Sequence, residues 1–142
     1  MKMHTVDKDL AKFYPVSCEE IRIVEEELGF NLPKELKEFY CEFGYGFLGS
    51  KKGYPNRIMD PYSVRDFRLK QNDYEFFEDI ELYEHFEEDK LIFFEQDESA
   101  LLSIELGNHE KSKIFYYDAV VATSLQDFLE KMERDEFFFM NM

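Results

Sequence analysis

The chain has no tryptophan, only two cysteines, and 17 basic residues to set against 32 acidic ones. Each shortage excludes something. Cys18 and Cys41 form no Cys-x-x-Cys motif, and two reduced thiols in a cytosolic protein are the expectation. No apolar run approaches the roughly 20 residues that a membrane-spanning helix requires. No hydrophobic signal segment opens the chain at Met1-Lys-Met-His-Thr-Val, so a cytoplasmic location without a membrane partner is expected. The shortage of bases leaves a net charge of −15 and a pI near 4.5. Such a surface repels nucleic acid and attracts basic partners.

What is present is material for a core. The 142 residues are 44% hydrophobic and 18% aromatic, with 16 Phe and 9 Tyr. A chain of this size buries a core of its own, whereas a disordered acidic tail lacks aromatics. One domain over residues 1–142 is expected, without repeats. The surplus negative charge is either tolerated for solubility or used.

Helical signals are strongest near the start. Ser17-Cys-Glu-Glu20 has the form of a capping box, with the Ser17 hydroxyl accepting from the Glu20 amide. Ile21, Val24 and Leu28 then share a face, and Gly29 supplies a left-handed stop over which Phe30 folds back. Pro33 opens a second helix, whose apolar residues Leu36, Phe39, Tyr40 and Phe43 repeat at helical spacing. Arg57-Ile-Met-Asp60 reads as a strand, and Tyr62 to Gln71 as a short polar helix. From Asp73 to Asp89 the chain runs "DYEFFEDIELYEHFEED", with nine acids and no Lys or Arg. Phe76, Ile80 and Tyr83 share a helical face there, so the segment is an amphipathic helix or a turn.

The last third reads as strands. Leu91-Ile-Phe-Phe94 and Leu101 to Leu106 flank a charged turn, Ile114-Phe-Tyr-Tyr117 begins a third run, and Val120-Val121 is a short fourth. Short connections imply antiparallel pairing. Ser124 caps a final helix with Leu125, Phe128, Leu129 and Met132 on its inner face. The expected class is α+β: an antiparallel sheet with two N-terminal helices and a C-terminal helix packed against it. Leu28, Leu36, Phe39, Phe93, Leu102, Ile104, Phe115 and Phe128 are the expected core.

One stretch imitates a nucleotide site. Gly44-Tyr-Gly-Phe-Leu-Gly49 fits Gly-x-Gly-x-x-Gly by letter, and Ser50-Lys51 brings it near a phosphate loop. A dinucleotide fingerprint needs a strand before the glycines and a helix after them. Here a helix precedes and no helix start follows. The Walker pattern also fails, because Lys does not follow Gly49 directly. Gly44 is better read as a helix cap, Gly46 as the start of a strand or a close backbone approach, and Gly49 and Gly53 as loop boundaries.

No catalytic, cofactor-binding or metal-ligating residue emerges. His4, His85 and His109 are scattered, and none has a second ligand at useful spacing. Cys41, on the second helix beside the buried face, reads as a small core residue, with no base to activate it. With so many acids, close carboxylate pairs arise by chance and do not signal glycosidase chemistry. The aromatics of 73–89 are interleaved with acids, the opposite of a single-strand nucleic-acid platform. The apolar tail "EFFFMNM" either packs on the last helix or sheet edge, or meets a partner.

Taken together, the motifs carry a resemblance. Ser17 to Gly46, "SCEEIRIVEEELGFNLPKELKEFYCEFGYG", resembles the opening signature of the SUKH superfamily, named for Smi/Knr-type yeast regulators and related bacterial immunity proteins. The matching features are Ile21, Glu25, Leu28-Gly29, Leu32-Pro33, Leu36, Phe39 and Tyr40. Leu91 to Leu129 is similar to the family's hairpin, third strand and closing helix. The chain departs from the pattern at Asp97-Glu-Ser, where a Gly-rich turn is common, and at Tyr117, where Trp is common before the aspartate.

The resemblance implies a non-catalytic immunity protein or antitoxin that binds and neutralises a cognate toxin, often a nuclease or deaminase. No catalytic residue carries over. A nuclease domain must be basic to hold phosphates, and an acidic protein can occupy that groove. The expected contact residues are Glu75, Asp79, Glu84, Glu87 and Glu88, with Glu95, Asp97 and Glu98 as the rival site. The alternatives are a regulatory scaffold that binds a signalling or cell-wall enzyme, and an enzyme with a deep pocket of convergent carboxylates.

Overall fold

The computed structural model describes residues 11–50, 52–76, 83–84, 87–97 and 100–141, and its first helix begins where the cap demands. In α1 (Cys18–Leu28) the Ser17 hydroxyl accepts from the Glu20 N–H at 3.1 Å, and Gly29 closes the helix at φ 81°. α2 (Lys34–Glu42) follows Pro33, whose ring fixes φ at −54°. Glu25 ties the pair together: its Oε2 accepts from the Leu32 N–H at 2.7 Å and lies 3.2 Å from Lys37 Nζ. Ile21 and Val24 of α1 are buried, as are Leu36, Phe39 and Tyr40 of α2. Leu28, expected in the core, is only half-buried, because it is the last residue of α1 and the chain turns away at the cap.

α3 (Pro61–Leu69) starts with Asp60 Oδ2 accepting from the Ser63 N–H at 3.2 Å and Pro61 in the first turn. The sequence reads it as polar, yet it buries Val64 and Phe67 and packs across α1. α4 (Leu125–Arg134) opens with Ser124 Oγ accepting from the Asp127 N–H at 2.9 Å. It buries Leu125, Phe128, Leu129 and Met132, the face that its spacing predicts.

Among the described residues seven strands form one sheet in chain order: β1 (Lys12–Tyr14), β2 (Tyr45–Leu48), β3 (Asn56–Ile58), β4 (Lys90–Gln96), β5 (Ala100–Glu105), β6 (Ile114–Tyr116) and β7 (Ala119–Ala122). Every neighbouring pair is antiparallel. Ile58 pairs with Phe94 and Phe94 with Leu102, so the three side chains form a row on one face. Phe128 of α4 covers that row, its ring centroid 5.1 Å from that of Phe94. The opposite face carries the pair Arg57 and Glu95. Phe115, also expected to be buried, is half-exposed. Its register partner is Ser103, on the face away from Phe94, and the Lys90 ammonium covers its ring at 4.6 Å.

The glycines of the false nucleotide motif have a packing explanation. Gly44 leaves α2 at φ 92°, and a Cβ there would lie 1.8 Å from the Tyr14 carbonyl oxygen. Gly46 pairs with Phe13 at φ 143°, and a Cβ there would lie 2.2 Å from the Lys12 oxygen. Only a residue without a side chain lets β1 approach so closely.

Two further expectations meet different outcomes. The aromatic tail packs inward: Phe139 is buried against Tyr116, and Phe138 meets Phe128. The shared face of Phe76 and Tyr83 does not form. Phe76 is 89% exposed while Tyr83 is buried, stacked on Tyr117 at 5.6 Å; Ile80 lies outside the described residues. A 3-10 turn at Asn72–Tyr74, with Asn72 at φ 54°, redirects the chain and buries Tyr74 instead.

Candidate interaction surface

The end of α3 organises the acidic segment. Lys70 caps the helix in the left-handed conformation, φ 57°, which places Arg68 and Lys70 at the C-terminus, where the helix dipole favours cations. The Arg68 guanidinium donates to the carbonyls of Glu87 and Lys90. Lys70 Nζ lies 2.6 Å from Glu87 Oε2. Glu87 is therefore an anchor rather than an exposed charge: it is 5% exposed. Burial pushes its carboxyl pKa up, against the pull of Lys70 and Arg68.

Around that anchor the other acids remain at the surface. Glu84 and Glu88 are exposed and, with Arg68, Lys70 and Glu87, line a shallow depression of about 310 Å³. It adjoins a groove of about 390 Å³ that shares Arg68 and Glu88 and has Phe30, Leu32 and Leu106 in its wall. Glu75 is exposed just after the 3-10 turn. Asp79 lies outside the described residues.

The rival acidic site turns out to be a neighbour through one arginine. Arg57 lies 2.9 Å from Glu95 and donates to the Tyr74 hydroxyl at 3.1 Å, so β3 links the start of the acidic segment to β4. Glu95 is largely covered and its charge is matched by Arg57. Asp97 is exposed in the turn after β4, at φ 50°, with its N–H donated to the Pro55 carbonyl at 3.1 Å. Glu98 lies outside the described residues. Among the described residues Glu75, Glu84, Glu88 and Asp97 carry no ion-pair partner.

Arg57, Arg68 and Lys70 escape sequence reasoning. Their signal is weak: three bases close to an acid run in a chain poor in bases. Among the described residues no three His, Cys, Asp or Glu side chains are grouped to hold a metal ion. No described helix is long and apolar enough to cross a membrane. The arrangement is chemically suited to attraction and contact, with charges at the rim and aromatic and aliphatic groups in the adjoining groove.

The family model described as "SMI1 / KNR4 family (SUKH-1)" matches residues 15–131. A relative from Bacillus subtilis (strain 168), "Immunity protein YxxD", is 55% identical over 130 residues, which cover 92% of this chain and 88% of the relative. No solved structure matches the chain.

Proposed function

The chain belongs to the SMI1 / KNR4 family (SUKH-1), and on that premise we propose that it is an immunity protein that binds a cognate toxin domain and neutralises it without chemistry of its own. The observation that carries this reading is the 55% identity, over nearly the whole chain, to a relative named for immunity. Charge supports a finer version. A net charge of −15 suits a basic partner such as a nuclease domain, whose phosphate-binding groove an acidic surface can occupy. We assign the long-range attraction to Glu75, Glu84, Glu88 and Asp97, which are exposed and unpaired among the described residues. Glu87 and Glu95 hold the scaffold behind them through Lys70 and Arg57. Action in the cytoplasm, before the toxin reaches its target, completes the proposal.

The test is co-expression with the toxin domain encoded beside this chain in its source genome, together with titration of the two purified proteins. Restored growth and a saturable complex are expected. Unchanged killing with no complex at low salt would overturn the immunity reading. A complex formed with a toxin that carries no basic surface would overturn only the finer version.

A further inference from the structure

The fold brings the only two cysteines of the chain together. α1 and α2 form an antiparallel pair whose facing sides are marked by the Glu25–Lys37 ion pair at 3.2 Å. Cys18 lies two helical turns before Glu25 on the same stripe of α1, and Cys41 one turn after Lys37 on the same stripe of α2. Both positions run toward the same end of the helix pair. That end is clamped independently, because the Gly44 backbone leaving α2 packs directly on Tyr14 and Pro15, which lead into α1. Both cysteines lie at the surface, Cys41 included although its place beside the buried helix face reads as core, and Cys18 is near enough to act, after burial, on the Cys41 pKa.

We propose that Cys18 and Cys41 form an oxidant-responsive dithiol, which closes to an intramolecular disulfide and locks α1 to α2. The oxidant is a peroxide. One thiolate attacks a peroxide oxygen to give a sulfenic acid and release water or an alcohol. The second thiol displaces the hydroxyl as water, so two thiols are oxidised as one peroxide bond is reduced. A thiol reductant reverses the reaction. This inference does not depend on the immunity reading, because it concerns the free chain.

The test uses the full purified chain with hydrogen peroxide at sub-millimolar concentration. Intact mass should fall by two hydrogens, and non-reducing digestion should yield one peptide pair joined through Cys18 and Cys41. The oxidised protein should keep the oligomeric state of the reduced one and unfold at a higher urea concentration. Reductant should restore both readings, and Cys18→Ser or Cys41→Ser should abolish the shift. Oxygen adducts on separate cysteines, or cross-linked dimers in place of the internal link, would overturn the proposal.

Discussion

Glu35 and Leu125, 90 residues apart in the chain, are joined by a hydrogen bond of 3.1 Å from the Leu125 N–H to Glu35 Oε1. The same oxygen accepts from the Ser112 N–H at 2.9 Å, and Oε2 accepts from the Gln126 N–H at 3.4 Å. A carboxylate on α2, only 6% exposed, thus serves two donors at the start of α4 and one just before β6, of which those of Leu125 and Ser112 are buried. Glu35→Ala removes the acceptor from all three. Each buried donor left unsatisfied costs about 1–3 kcal/mol, so urea unfolding should show a loss of at least that size. Glu35→Gln, which keeps one acceptor oxygen, should lose less.

Leu36, on the next position of α2, is fully buried. Leu36→Ala should cost about 2–5 kcal/mol, the range for a truncated core leucine. A loss below about 0.5 kcal/mol in equilibrium unfolding would place it at the surface.

Gly46→Ala should destabilise the fold more than Gly53→Ala. Both glycines have positive φ, but a Cβ meets backbone only at Gly46 and nothing within 4 Å at Gly53. The strained φ alone costs on the order of 1–3 kcal/mol, and the clash at Gly46 adds the displacement of β1. Unfolding midpoints compare the two directly. Calorimetry of the unmodified protein with NAD or ATP should register no binding.

Two carboxylates should give stability profiles of opposite slope. Burial raises the Glu87 pKa against Lys70 and Arg68. At Asp127 burial also pushes upward, but the Thr123 N–H at 3.0 Å and Lys131 at 3.3 Å hold the carboxyl below its usual value. A raised folded-state pKa adds stability below the unfolded pKa that is lost as pH rises through the folded one. A depressed pKa adds stability above the unfolded pKa that is lost as pH falls through the folded one. Unfolding across the carboxylate range, about pH 3 to 6, should therefore show the wild-type advantage over Glu87→Gln shrinking with rising pH. The advantage over Asp127→Asn should grow.

At the proposed toxin surface, Glu84→Lys with Glu88→Lys should slow association more than it speeds dissociation, as expected of rim charges. The effect should fade when salt shortens the Debye length from about 30 Å to about 8 Å. Stopped-flow mixing at two ionic strengths reads both. An association rate that ignores salt and both reversals would remove these acids from the steering surface.

The sequence by itself determined the elements whose signals are local. Ser17 with Glu20, Gly29 and Ser124 set helix ends through backbone hydrogen bonds within a few residues, and the apolar runs of β4 and β5 are written into Leu91 to Leu106. The order of elements, and with it the α+β class, follows from such signals. Tertiary structure alone decided the rest. β1 is three residues long and exists because Gly46 admits it. Phe76 and Tyr74 exchange roles because Asn72 turns the chain. Glu87, indistinguishable in sequence from exposed Glu88, is buried because α3 ends with Lys70 beside it. Helical periodicity specifies which face of α1 or α2 is apolar, but the approach of Cys18 to Cys41 and of Glu35 to Leu125 depends on how separate elements pack, and packing is a property of the whole chain.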